Sequence, residues 1–467
     1  MRVLCLIDHI GHGGAQRQLC SMAVQLKRLG MEVSMLAYHH RDFYLPILQQ
    51  EEIEYKCVES SSISRRILAL RRELREGDQD VVLAFLPGAV LYAELASLLR
   101  RKWGLVVSER SAVPGSHRGF ERWLRTGHLL ADYVTANSHT NRLMIERSIP
   151  ALKGRVITVY NCVDFDNFSP GPAMPRADKN RLRLVVAAKF RALKNPVLLM
   201  EALGLARKKE PSMNISLDWY GLLPDSSSPT EDIFAYNKVI EDIDKNSLQD
   251  CVKLQPAILS IADVYRGADA VMSPSFYEGL SNVVCEAMAC GRPILMSSVS
   301  DAGNQVHDGY NGYMFNPASA EDMADAIVRF AHLPKSEKEA MGERSREMAE
   351  AMFDPRIVAG KYAEILSAAA ERRRLAVDHW VANVPETAEA FTPRWSMLRR
   401  ARGEIGFPRS VFMVGWSPIA GPTERRRRLV REFRLTRPRP AIRSGSRPCR
   451  FRFPTAARPF SLHRRYS

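Results

Sequence analysis

Short apolar runs alternate with longer amphipathic stretches from the first residue to about residue 370. The runs VLCLI (3–7), EVSMLAY (32–38), VVLAFL (81–86), GLVVS (104–108), YVTAN (133–137) and VITVY (156–160) read as parallel strands covered on both faces. Between the first two, GAQRQLCSMAVQLKRLG has helical periodicity and stops at Gly30. A polar stretch with three prolines, SPGPAMPRADKN (169–180), interrupts the pattern as a linker. It restarts with LRLVVAA (182–188), ISLDWYG (215–221), DAVMSPS (269–275) and RPILMSS (292–298). The chain is therefore predicted to form two doubly wound α/β domains, 1–168 and 181–370, followed by a terminal helix or linker at 371–390. Ligands of such sheets sit beyond the carboxyl ends of the strands, so two such edges can face each other across a cleft.

Composition changes this picture only at the end of the chain. With 467 residues and 46% hydrophobic content there is material for two or three domain cores. No apolar run approaches the roughly 18–20 residues of a membrane span. The net charge of +15 points towards nucleic acid or anionic lipid until its location is considered. Residues 391–467 hold 20 Arg, no Lys, no Asp and 3 Glu, which leaves the first 390 residues at −2. That Arg-rich tail reads as a disordered or frame-shifted extension; membrane contact is the next reading, and no specific nucleic-acid partner is expected. Eight cysteines are scattered without a CxxC or Cys/His cluster, which fits a reducing compartment and argues against a zinc site. The apolar run of MRVLCLID is too short for a signal-peptide core, so a cytoplasmic protein is expected.

Three segments carry candidate chemistry. Gly13 and Gly14, in HIGHGGAQRQL, open a helix after the first strand, where bare N–H groups and the positive helix end suit a phosphate. The third glycine of a dinucleotide fingerprint is missing, with Gln16 in its place. In VVAAKFRALKNP, Lys189 and Lys194 lie between a strand end and a helix start at which Asn195 reads as the N-cap and Pro196 as the first helical residue. Two ammonium groups there suit a diphosphate. In SPSFYEGLSNVVCEAMACGRPIL (273–295), Glu278 lies in a turn above the sheet and Glu286 on the second turn of the following helix. Each carboxylate can accept from a pair of neighbouring hydroxyls, and the N–H groups of Gly279, Leu280, Ser281 and Asn282 lie at a helix start.

The two glutamates eight apart in EGLSNVVCEAMACGRP resemble the EX7E motif of the retaining glycosyltransferases of family 4. GGAQRQL, TVYNCVDFDNFSP (158–170), AKFRALKNP and DGYNGYMF (308–315) resemble further family motifs, in the same order along residues 1 to about 370. The resemblance implies the GT-B fold, two Rossmann-like domains facing across a cleft, the first binding acceptor and the second nucleotide sugar. It implies that Glu286 holds the ribose hydroxyls, Glu278 the donor sugar, and Lys189 and Lys194 the diphosphate, with Gly13 and Gly14 opposite. Lys189 stands where the family has Arg, and Ala188 and Cys162 replace glycines. A family histidine is replaced by Glu109 in VVSERSAVP, a tract resembling enzymes that extend lipid-linked and surface polysaccharides. Glu109 and Arg110 are thus expected on the acceptor side, Glu109 with a catalytic role.

The resemblance also implies transfer with retention, from a UDP-hexose or UDP-N-acetylhexosamine, to a glycan or lipid-linked acceptor. No metal is expected, because neither acidic triplet, Asp78-Gln79-Asp80 or Asp242-Ile243-Asp244, follows an apolar strand. Ile63, Ile67, Leu70 and Leu74 form a helical stripe among arginines, and Phe120, Trp123 and Leu124 lie among Arg118, Arg122 and Arg125. Both either pack their apolar faces on the sheet with the arginines left to solvent or make peripheral contact with the inner face of an anionic membrane. The alternatives are a sugar-nucleotide 2-epimerase of the same fold and a basic membrane- or nucleic-acid-binding module.

Overall fold

Parallel strands cannot be joined by tight hairpins, so each step between neighbours here needs a crossover. The computed structural model describes residues 1–60, 62–98, 101–110, 124–172, 178, 180–258 and 260–382, with side chains to residue 375, all within one compact unit, Met1–Glu386. The first sheet contains β1 (Arg2–Leu6), β2 (Glu32–Ala37), β3 (Glu54–Cys57), β4 (Val81–Phe85), β5 (Gly104–Glu109), β6 (Tyr133–Ala136) and β7 (Val156–Thr158), in the order β3-β2-β1-β4-β5-β6-β7. The second contains β8 (Leu182–Ala187), β9 (Ile215–Tyr220), β10 (Val252–Gln255), β11 (Ala270–Ser273), β12 (Ile294–Ser297) and β13 (Gly312–Phe315), in the order β10-β9-β8-β11-β12-β13. Every ladder between these strands is parallel. Each strand order reverses direction beside its first strand, at β1/β4 and at β8/β11, which are the crevices where such sheets take ligands.

The two α/β bodies are those expected, with three strands that the apolar runs did not reveal. All three, β3, β10 and β13, are edge strands of four residues. EYKC alternates exposed with half-buried positions, and VKLQ begins buried and then turns outward. A search for strands covered on both faces does not find them.

The boundaries between the bodies need correction. Val163 and Phe168, assigned to the first domain, lie in the core of the second with Val185, Tyr265 and Met288. The N–H of Val163 donates to the Phe353 carbonyl at 3.0 Å. The chain leaves the first body at Cys162, whose backbone is bracketed by the Gln18 amide through contacts of 2.8 and 2.9 Å. At the other end the second domain does not run to 370. The helix Pro355–Ala382 returns to the first body, where Val358, Ala359, Tyr362, Leu366 and Ala369 complete its core against β1, β4 and β5. Burying that apolar face leaves two strands of chain between the bodies, at residues 161–163 and 353–355.

The apolar stripe is divided between core and solvent. In the helix Ile63–Glu76, Leu70 and Leu74 are fully buried in the first core, while Ile63 and Leu68 remain exposed. Phe120, Trp123, Arg118 and Arg122 lie outside the described residues, as does the Arg-rich stretch 391–467. Arg125 is buried rather than displayed. No described helix is long and apolar enough to cross a membrane.

Candidate active site

The loop after β1 enters the helix Gly14–Arg28 with Gly13 as the preceding residue and no side chain capping its first turn. The N–H groups of that turn therefore point out of the helix without side-chain caps. Asp8 fastens the loop by accepting from His9 N at 2.7 Å and from Gln16 Nε2 at 3.0 Å. The helix start abuts the second body: a Cβ on Gly14 would lie 3.1 Å from Asn282 Nδ2, which leaves little room for any side chain there. Asn282 Oδ1 in turn accepts from Asn161 Nδ2 at 2.5 Å.

On the facing edge, β8 runs into Lys189 and a short turn, Ala192–Lys194. Asn195 does not act as the expected side-chain cap. It adopts a left-handed conformation, φ 57°, and its Nδ2 donates to the Pro317 carbonyl at 2.8 Å, while Pro196 opens the helix as expected. Lys194 Nζ, at the end of the preceding turn, meets the Glu278 carboxylate in an ion pair. Ser275 Oγ donates to Glu278 Oε1 at 2.8 Å, and Ser300 Oγ donates to the Glu278 carbonyl. Lys194, Ser275 and Glu278 line a small cavity at the carboxyl ends of β8 and β11 with Ala187, Ala188, Ser273 and Ser281. Lys189 is at the same edge with its side chain exposed.

Ser281 caps the helix Asn282–Ala289 by accepting from Val284 N, as the sequence suggests. Glu286, on its second turn, is buried and forms an ion pair with Arg17 of the first body. Burial pushes the Glu286 carboxyl above its ordinary range, and the charge and hydrogen bond of Arg17 oppose that shift. Leu280 is buried in the second core, so only its backbone can serve a ligand. Sequence reasoning missed Arg17. It lies three residues after Gly14, on the same helix face, and that spacing was the signal available.

Glu109 and Arg110, at the carboxyl end of β5, are engaged within the first body. Glu109 accepts from Arg125 Nε at 2.7 Å, from Arg125 NH2 at 2.9 Å and from His128 Nε2 at 2.8 Å. These partners hold the Glu109 carboxyl below its ordinary range although burial opposes them. Arg110 donates to Tyr362 Oη at 3.2 Å and to Asn161 Oδ1, and its guanidinium lies 4.7 Å from the Phe85 ring centre. Its carbonyl is 3.5 Å from where a Cβ on Gly279 would stand, so the end of β5 borders the donor-side loop of the second body.

The acidic triplets lie elsewhere. Asp80 accepts from Arg2 N at 2.7 Å, at the amino end of β1, and Asp242 pairs with Lys238 on one helix. Among the described residues no group of three His, Cys, Asp or Glu is placed to hold a metal ion.

Two family models match the two bodies separately: Glycosyltransferase Family 4 over residues 12–167 and Glycosyl transferases group 1 over residues 181–332. A D-inositol 3-phosphate glycosyltransferase of Frankia alni is 28% identical over 269 residues, 52% of this chain and 64% of that protein. One from Paenarthrobacter aurescens is 30% identical over 146 residues, 31% of this chain and 34% of its own. The chain thus spans between a third and just under two thirds of the length of these relatives. Among solved structures, Anabaena HepE in complex with UDP and glucose superposes with a TM-score of 0.65 at 18% identity, covering 79% of this chain and 100% of that one. A glycosyltransferase from Rickettsia africae gives 0.67 at 17% identity, covering 79% and 98%. These likenesses establish the GT-B arrangement of the two bodies.

Proposed function

The chain belongs to the family 4 glycosyltransferases, and from that premise we propose that it transfers a sugar from a UDP-linked hexose or N-acetylhexosamine to a hydroxyl of a glycan or lipid-linked acceptor, with retention. The observation that carries this reading is the pairing of Lys194 with Glu278 and of Arg17 with Glu286 at two facing carboxyl edges. Each pair sets a cation suited to phosphate beside a carboxylate suited to a sugar diol. Glu286 takes the ribose hydroxyls and Glu278 the donor hexose. Lys194, Lys189, Arg17 and the helix starts at Gly13–Gly14 and at Gly279–Asn282 take the diphosphate. The UDP seen in the Anabaena neighbour favours UDP as the nucleotide.

In the reaction the bond between the anomeric carbon and the β-phosphate oxygen breaks, and the acceptor oxygen bonds to that carbon on the same face. The acceptor proton passes to the departing phosphate oxygen. Fixed cations and helix ends aimed at the growing charge supply the main stabilisation. They do so without a metal, so chelation is expected to leave the rate unchanged.

The test is a panel of UDP-glucose, UDP-galactose, UDP-N-acetylglucosamine, GDP-mannose and ADP-glucose, followed for nucleotide release with and without EDTA. Slow, EDTA-insensitive release of UDP from at least one UDP-sugar is expected, together with free or transferred sugar. Release of no nucleotide from any donor would defeat the reading, and isomerisation of the sugar nucleotide without UDP release would indicate an epimerase.

A further inference from the structure

The end of β5 carries a charged cluster that the donor chemistry does not use. Glu94, on the helix Pro87–Ala96, is 2% exposed, and its Oε1 lies 2.5 Å from His128 Nδ1. The other ring nitrogen of His128 lies 2.8 Å from Glu109 Oε1. Arg125 grips both oxygens of Glu109 from the opposite side. The cluster is built into the chain: a Cβ on Gly127 would lie 2.1 Å from Glu94 Oε2, so only glycine lets that carboxylate reach His128.

Four ionisable groups in a nearly dry site are costly, and a core of the same volume would be at least as stable with apolar residues. Their arrangement has a direction. Both ring nitrogens of His128 face carboxylates, which the doubly protonated imidazolium satisfies and a neutral ring does not. Glu94, His128, Glu109 and Arg125 then sum to zero charge, with Glu109 ionised. Among the described residues Glu109 Oε1 receives two donors and Oε2 one, so the spare accepting capacity is on Oε2. This carboxylate stands at the carboxyl end of β5, next to Arg110, whose carbonyl borders Gly279.

We propose that Glu94, His128 and Arg125 are positioning residues that hold Glu109 ionised and aimed, so that its Oε2 accepts a hydrogen bond from an O–H of the bound acceptor other than the one whose proton passes to the departing phosphate. The proposal rests on the transferase reading above. It assigns the site a neutral hydroxyl nucleophile, a sugar alcohol or water, since a fixed carboxylate repels an anionic one. Raising His128 to about 9 is consistent with this geometry: burial alone would lower it, and the hydrogen bonds from Glu109 and Glu94 outweigh that effect.

Water can stand in for the acceptor, so UDP-sugar hydrolysis by the full chain is a usable probe. With whichever UDP-sugar the wild-type chain turns over, Glu94→Gln and His128→Gln are expected to lower kcat at least tenfold while the donor KM stays within about twofold. In His128→Gln the acid limb of the kcat profile should move to higher pH, because Glu109 loses the cation that keeps it ionised. Arg125→Lys should recover part of the activity lost in Arg125→Gln. UDP-induced thermal stabilisation of each variant reports whether it is folded, and Glu94→Gln, the most conservative change, serves if His128→Gln does not fold. Lowered thermal stability with wild-type kcat and an unmoved pH profile would reduce the cluster to a structural one and overturn the proposal. No turnover by the wild-type chain with any UDP-sugar is a separate outcome, which removes the transferase reading and this proposal with it.

Discussion

Each carboxylate of the cleft is matched to one cation, and the matching differs with burial. Lys194 and Glu278 are both partly open to solvent, whereas Glu286 is nearly inaccessible and met by Arg17 from the other body. His128 is held at about 9 by Glu109 and Glu94 against the effect of burial. Its folded value lies above its ordinary value near 6.5, so its contribution to stability is fully present below pH 6.5 and is lost as pH rises through 9. Thermal melts of wild type and His128→Gln should therefore differ most at pH 6 and converge towards pH 10. At pH 6 the gap should reach about 3–5 kcal/mol, the usual cost of stranding a buried partner. A gap that does not change with pH would mean that His128 is neutral in the folded chain.

At the scale of elements, the bodies meet through a carboxylate placed at a helix start. Asp301, 2% exposed and in the second body, accepts from His139 N and Thr140 N at 2.8 Å each, at the start of the helix His139–Ser148. Charge-assisted bonds to a helix N-terminus make this a latch between the bodies. Asp301→Asn should lower the unfolding free energy by roughly 2 kcal/mol in urea titrations; an unchanged midpoint would show that the contact is not formed in solution. This latch was not legible in the sequence, because nothing in VSDAGNQ marks a partner 160 residues away. The central strands were legible, since burial on both faces makes them continuously apolar, and so was the helix that starts after Ser281. What was hidden has one physical character. Arg17, Asp301 and the trio around Glu109 matter through partners distant in sequence, and edge strands such as Glu54–Cys57 carry half the apolar signal. Asn195 misled for a local reason: its side chain bonds Pro317 instead of capping the helix it precedes.

Across the whole molecule, the −2 charge of the first 390 residues conceals a local concentration of positive groups. Lys194, Arg17 and two helix starts lie where the two sheets present their carboxyl edges. The chain passes between the bodies near residues 161–163 and 353–355, and Arg17–Glu286 and Asn161–Asn282 bridge them beside the same edges. The most direct test is titration calorimetry of UDP into the full chain, with Lys194→Ala and Glu286→Ala alongside. A donor seat shared between these residues predicts saturable binding at one site per chain, weakened at least tenfold in each variant. Absence of binding by the wild-type chain, or equal affinity in all three proteins, would contradict it.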